Sequence, residues 1–85
     1  MVAQMNRQPP TGRYRLERTY RNRRGHVVTA GSTINGATPS EAMQVFRTNV
    51  AVAKLRPQMI RVVLLDAIGA IVADAAFPMN VQVAA

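Results

Sequence analysis

Residues 12–34 constrain the fold most, because the first part of this stretch alternates with a period of two. Successive side chains of a β-strand point to opposite faces of a sheet. Residues 13–21 therefore predict a strand with one covered face and one face that stays in water and carries arginine. Residues 22–25 supply turn chemistry, and the Val- and Thr-rich residues 26–34 predict the return strand of a hairpin. The covered face is assigned to Tyr14, Leu16 and Tyr20.

Two glycine positions mark irregular points in the return strand. Gly31 lies inside the strand pattern and predicts a β-bulge or a close backbone approach. The Asn35-Gly36 pair is typical of a turn, so it is predicted to close the hairpin module.

A capping motif at residues 38–41 is the sharpest local signal in the chain. Thr38 is placed as the N-cap, Pro39 fits the first helical position, and Glu41 follows the cap by three residues, which completes a capping box. The motif predicts a helix over residues 39–54.

This helix is predicted to have one apolar face that packs on the sheet. Phe46 lies on that face and is expected to pack over Val63 or Leu65. The other members of the face are Ala42, Val45, Asn49, Val50 and Ala53, whereas Gln44, Arg47, Thr48 and Ala51 are expected to face outward.

The C-terminal third of the chain predicts two further strands and a tail. Residues 58–65 end in a near-continuous β-branched and aliphatic run, which is typical of a central strand buried on both sides. Residues 66–69 begin with Asp and end with Gly, as a hairpin turn does. Residues 70–77 are predicted as the partner strand, and the alternating residues 79–85 as an additional edge strand in the same molecule or in a neighbour's sheet.

These elements predict a single α+β domain over residues 12–85, preceded by a flexible N-terminal arm over residues 1–11. The expected architecture is a two-layer sandwich, in which an antiparallel sheet of four to five strands has one helix packed on one face. The order of elements is β-β-α-β-β. An 85-residue chain has a small core, and its exposed strand edges and alternating tail make a homodimer an expected state.

Positive charge is concentrated in the predicted hairpin. The chain carries a net charge of +7, and residues 7–24 hold seven arginines against one acid, Glu17. Such a field attracts polyanions. A solvated face that keeps the protein soluble and blunts an edge strand is the alternative, but this density of arginine favours a binding role. The predicted partner-binding residues are Arg13, Arg15, Arg21, Arg23 and Arg24.

The sequence lacks the residue clusters that catalysis, metals or cofactors require. The only histidine is His26, there is no cysteine, and the four acids are dispersed, with Glu41 and Asp66 assigned to a cap and a turn. We therefore expect no enzyme activity, no metal and no cofactor. No run of 18 apolar residues and no signal-peptide pattern occurs, so we expect no membrane partner and a cytoplasmic location, in the host cell if the protein is phage-encoded.

A compact layout over roughly residues 12–77 is formed by the helix entry Thr38-Pro39-Ser40-Glu41-Ala42, the strand Met59 to Leu65, and the hairpin through Asp66 and Gly69 into Ile71-Val72-Ala73. In size and layout it resembles the small phage-encoded inhibitors of CRISPR systems, the anti-CRISPR proteins. The resemblance implies binding to an acidic surface of an effector complex, or near its nucleic acid, which blocks target recognition. Many of these inhibitors are acidic mimics of DNA, and this chain departs from them in being basic.

Three functional hypotheses follow from these features. The leading one is a non-enzymatic inhibitor or adaptor from a phage or mobile element, which engages a bacterial protein or nucleoprotein complex through its arginine-rich surface. The second is a small nucleic-acid-binding module that contacts the backbone without sequence specificity, because Tyr14 and Tyr20 are assigned to the core in preference to a base-stacking platform. The third is a small structural protein that oligomerises through its strand edges.

Overall fold

The computed structural model describes residues 11–77, which form one antiparallel sheet with one helix packed against it. Residues 1–10 and the predicted tail strand at 79–85 lie outside the described residues. The spatial order of the strands is β2-β1-β3-β4, and the predicted α+β fold with β-β-α-β-β order is confirmed. The elements are β1 (Gly12–Arg21), β2 (Val27–Ala37), α1 (Pro39–Ala53), β3 (Met59–Leu65) and β4 (Ile71–Ala76).

The return strand β2 is longer than its glycines suggest, and its register with β1 shifts beside Asn35 and Gly36 rather than at Gly31. It continues through Asn35 and Gly36 to Ala37, although Gly36 has a φ of +67°. Gly31 is not bulged, because it lies opposite Glu17 in an unbroken register with β1. The space above Gly31 is occupied by the guanidinium of Arg15, which a Cβ at this position would overlap. The close approach is therefore made by a side chain and not by backbone.

Helix α1 begins with the capping box that the sequence predicts. The backbone N–H of Glu41 donates to Thr38 Oγ1 at 3.1 Å, and the backbone N–H of Thr38 donates to Glu41 Oε1 at 2.8 Å. Two N–H groups that the first turn would leave unpaired are thus satisfied. At the other end, Lys54 is the C-cap, and its N–H donates to the carbonyl of Val50 at 3.0 Å.

We expect Thr38→Ala to lower the free energy of unfolding by about 0.5–2 kcal/mol, because it removes the side-chain acceptor for the Glu41 N–H. Ser40→Ala is the matched control, since Ser40 is exposed and lies within the first turn without a capping role. Urea denaturation of both variants measures the difference. A larger loss for Ser40→Ala would contradict this assignment of the helix start.

The core lies between α1 and the sheet, and its helix side differs from the prediction in one respect. Phe46 packs in a cluster with Leu16, Val62 and Leu64, not over Val63 or Leu65. Because residues 62–65 of β3 are all apolar, the sequence pattern alone does not show which of them face the helix. The antiparallel pairing of Leu64 with Leu16 determines that Leu64 faces the helix, because directly opposed residues point to the same face of the sheet. Ala42 and Ala53 of α1 are also fully covered, and their small side chains let the helix approach the sheet closely.

Val63 is buried on the sheet face that has no helix above it. Only 7% of its surface is exposed, although no second layer covers this face within the described residues. Its direct neighbours across the sheet are Glu17 on β1 and Asp74 on β4. Each carboxylate is paired with an arginine on the same face, and the long side chains of these ion pairs shield Val63 from water. The prediction that β3 is buried on both sides is therefore confirmed at Val62, Val63 and Leu64.

Candidate functional site

Two segments that are distant in sequence meet at one end of the molecule. The antiparallel pairing of β1 with β3 places the turn between β1 and β2 beside the connection between α1 and β3. The backbone N–H of Arg21 donates to the carbonyl of Gln58 at 2.9 Å, which joins the two segments directly. We call this region the basic end. Its cationic side chains are those of Arg21, Arg23, Arg24, Lys54 and Arg56, and residues 21–26 and 54–58 contain no acid.

Hydrogen bonds hold the hairpin tip of the basic end in a defined shape. The side-chain oxygen of Asn22 accepts from the backbone N–H groups of Arg24 and His26, both at 2.9 Å. Gly25 adopts a φ of +82°, which other residues rarely adopt, and Arg21 Nη1 donates to its carbonyl at 3.1 Å. Arg23 and Arg24 are exposed on this turn. The two arginines therefore project into solvent from an ordered backbone.

The opposite end of the molecule carries the acids that are not on the sheet face. Glu41 is in the helix cap, and Asp66 begins the turn between β3 and β4. Asp66 Oδ1 accepts from the N–H groups of Ile68 and Ala70 at 3.1 and 2.9 Å. Cations are thus gathered at the basic end, whereas the other end carries two carboxylates, of which Asp66 shares a cleft with Arg13 and Arg15. An anionic ligand would be attracted to the basic end.

The predicted arginine row on β1 exists, but its members have different surroundings. Arg13, Arg15 and Arg21 lie on the sheet face opposite α1. Arg15 Nε forms an ion pair with Glu17 Oε2 at 3.0 Å, and Arg13 Nε donates to Asn35 Oδ1 at 3.2 Å. The charge of Arg15 is therefore partly compensated. The alternative that this row blunts an edge strand is wrong, because β1 has a neighbour on each side.

A second ion pair occupies the β3–β4 part of the same face. Arg61 donates from Nε to Asp74 Oδ1 at 2.8 Å and from Nη2 to Asp74 Oδ2 at 2.6 Å. This two-point contact lowers the pKa of the Asp74 carboxyl, chiefly through the hydrogen bond from Arg61. Together with Arg15 and Glu17, this pair frames Val63. The middle of the open face is therefore a packed and largely neutralised surface, which leaves the basic end as the concentration of positive charge.

Two open clefts are each bordered by one of the two tyrosines of β1. Tyr14 lines a cleft of about 260 Å³ at the end opposite the basic end, together with Arg13, Arg15, Leu65 and Asp66. Tyr20 lines a cleft of about 280 Å³ beside the basic end. Both rings are half-buried and pack against the core, as predicted, and each also borders a space that is open to solvent.

Sequence reasoning missed the contribution of Lys54 and Arg56 to the basic end. In the sequence these two cations follow the helix, where positive charge interacts favourably with the helix dipole, and nothing local points to the hairpin tip. The signal that would have found them is topological. A helix that follows β2 and leads into a strand antiparallel to β1 must end near the tip of the β1–β2 hairpin.

Residues 11–77 contain no group of three His, Cys, Asp or Glu side chains arranged to hold a metal ion. Helix α1, the one helix within these residues, lacks the length and apolar character needed to cross a bilayer. Comparison of the chain with models of protein families, with curated proteins and with solved structures finds no match.

Proposed function

We propose that this chain is a non-enzymatic binding protein that engages the phosphate backbone of a nucleic acid with its basic end. The observation that carries the proposal is the meeting of two segments, neither of which contains an acid, that carry Arg21, Arg23, Arg24, Lys54 and Arg56. Four of these five side chains are guanidinium groups, which match the geometry of phosphate oxygens and contact them at two points.

Binding of this kind is independent of sequence and strongly dependent on salt. Each phosphate that is neutralised by a cation releases condensed counterions, and this release supplies most of the affinity. The hairpin tip is narrow and rigid, so it suits a backbone that passes across the end of the molecule. The backbone of this turn needs little ordering on binding, because Asn22 already holds it with two hydrogen bonds.

The phosphates are either those of a free nucleic acid or those displayed by a bacterial nucleoprotein complex. In the second case the chain would act as an inhibitor of the anti-CRISPR kind and would block target recognition by occupying the strand that the complex holds. In this version the end that carries Glu41, Asp66 and Arg13 stays open to a protein component of the complex while the basic end contacts nucleic acid.

The dependence of binding on salt tests the proposal. We expect a fluorescently labelled single-stranded oligonucleotide to bind with a logarithmic salt slope of about −3, which corresponds to about four phosphate contacts. Raising the salt from about 50 to about 200 mM should then weaken binding by about 50-fold. Fluorescence anisotropy measures both quantities. Absence of binding at low salt, or binding that salt does not weaken, would contradict the proposal.

A pull-down from bacterial lysate separates the two sources of phosphate. A protein that binds free nucleic acid captures its partners only before nuclease treatment, whereas an inhibitor retains its protein complex afterwards. The third hypothesis, assembly through strand edges, depends partly on residues 79–85, which lie outside the described residues. It stays a prediction, and sedimentation velocity of the full chain tests it together with the expected homodimer.

A further inference from the structure

A cleft of about 280 Å³ opens beside the basic end, at the end of β1 that faces the α1–β3 connection. Binding sites for drug-sized ligands are usually about 300–1,000 Å³, so this space suits one planar ring system better than a larger molecule. Two of its lining residues, Arg56 and Gln58, belong to segment 54–58 of the basic end, so the cleft adjoins that region. The lining residues are Arg18, Tyr20, Ala30, Arg56, Gln58 and Met59.

The lining combines a flat apolar surface with groups that bind anions and polar edges. Tyr20 lies opposite Val28 on one side and Met59 on the other, so its ring is held between neighbouring strands. Arg18 and Arg56 supply positive charge, and Gln58 supplies an amide that both donates and accepts. No acid is among the lining residues that the structure describes.

Arg18 is fixed in place by the helix and by β2. Its Nη1 donates to Asn49 Oδ1 at 3.3 Å and its Nη2 donates to Ser32 Oγ at 3.2 Å. A guanidinium has five N–H donors, so these two bonds leave donors for a ligand. A cation that is already oriented loses little freedom when it binds.

We propose that this cleft accepts one unpaired nucleobase stacked on Tyr20, so that the preferred ligand of the basic end is single-stranded nucleic acid. The inference rests on the proposed function and adds the class of strand. A base inside a duplex is stacked and paired, and it cannot reach the cleft without leaving the helix. A flexible strand can place its phosphates on Arg23 and Arg24 and turn one base into the cleft. Stacking on an aromatic ring tolerates every base, which agrees with binding that is independent of sequence.

Binding of wild-type protein to three labelled nucleic acids of equal length tests this inference. They are an oligothymidylate of about 16 nucleotides, a strand of abasic sites with the same number of phosphates, and a mixed-sequence duplex. We expect the oligothymidylate to bind about 5- to 150-fold more tightly than the abasic strand, the fold-change that corresponds to stacking of one base on an aromatic side chain. We also expect it to bind more tightly than the duplex. Contacts to phosphate alone favour the duplex, whose charge density is higher. Equal binding of thymidine and abasic strands, or preference for the duplex, would overturn the inference.

Substitutions at the two tyrosines locate the stacking site. Tyr20→Leu keeps an apolar side chain and removes the ring, and it should reduce the preference for oligothymidylate over the abasic strand to about onefold. Tyr20→Phe should retain the preference. Tyr14→Leu is the matched control, because Tyr14 lies on the same face of β1 at the end that carries Asp66. Loss of the preference in Tyr14→Leu with retention in Tyr20→Leu would overturn the assignment.

The two proposals fail in different ways. If no strand binds in a salt-dependent manner, the proposed function is wrong and the cleft has no nucleic-acid ligand to accept. If all three strands bind with the expected salt slope but thymidine and abasic strands bind equally, the basic end is a phosphate-binding surface and the cleft does not hold a base. Should Tyr20→Leu fail to fold, the comparison of strands with wild-type protein decides the question alone.

Discussion

Phe46→Ala is expected to lower the free energy of unfolding by about 3–5 kcal/mol. Phe46 is the largest side chain that α1 inserts into the core, and only 8% of its surface is exposed. It packs in one cluster with Leu16, Val62 and Leu64, whereas the other buried residues of the helix are alanines. Neighbouring side chains on the sheet are held by strand pairing and cannot collapse into the space, so the cavity adds to the lost burial.

A loss of this size is large for a chain of 85 residues, whose total stability is about 4–13 kcal/mol at typical values per residue. Urea denaturation followed by circular dichroism measures the change in midpoint. Val52→Ala is the matched control, because Val52 lies on the same helix but is 45% exposed. It should cost less than about 0.5 kcal/mol. An unchanged midpoint for Phe46→Ala would mean that α1 is rotated from the position described.

Simultaneous replacement of Arg23 and Arg24 by glutamate is expected to weaken nucleic-acid binding by about 100-fold or more. Each substitution removes a charge-assisted hydrogen bond to phosphate, worth about 1.5–3 kcal/mol, and introduces a repelled carboxylate. The salt slope should also become shallower, by about 0.7 units for each phosphate that an arginine no longer neutralises. Both side chains are exposed on the turn, so the variant should keep the circular dichroism spectrum of the wild type.

The matched control is the pair Arg13→Glu and Arg47→Glu. Two reversals of either pair change the net charge by four units, from +7 to +3, so both variants weaken long-range attraction equally. Arg13 lies at the opposite end of the sheet, and Arg47 is exposed on the outer side of α1. We expect a smaller loss of affinity for this pair. Equal losses would show that net charge alone controls binding, and the basic end would then not be a distinct site.

The same pair of variants also separates two interpretations of the arginines. The sequence groups Arg13, Arg15 and Arg21 with Arg23 and Arg24 because they share a strand face and its turn. The structure divides them, since Arg15 is paired with Glu17 and Arg13 is at the far end of the sheet. A greater effect at Arg23 and Arg24 than at Arg13 would favour the basic end over the row on β1.

The sequence by itself determined the elements whose signals are local. Alternation over residues 13–21 specified β1, because strand side chains repeat every second residue. The motif from Thr38 to Glu41 specified the start of α1, because a capping box is complete within four residues. Asn22 to Gly25 specified a turn for the same reason. Local signals did not specify the end of β2, because Gly36 suits both a turn and the irregular end of a strand.

Tertiary structure alone decided which of these elements meet. The run from Val62 to Leu65 is apolar on both faces, so only its pairing with Leu16 settled that Val62 and Leu64 face Phe46. The ion pairs of Glu17 and Asp74 depend on which side chains share a sheet face, and that is a property of strand order. The basic end exists for the same reason. Arg21 and Gln58 are far apart in the chain, and the antiparallel pairing of β1 with β3 brings their backbones into hydrogen-bond contact.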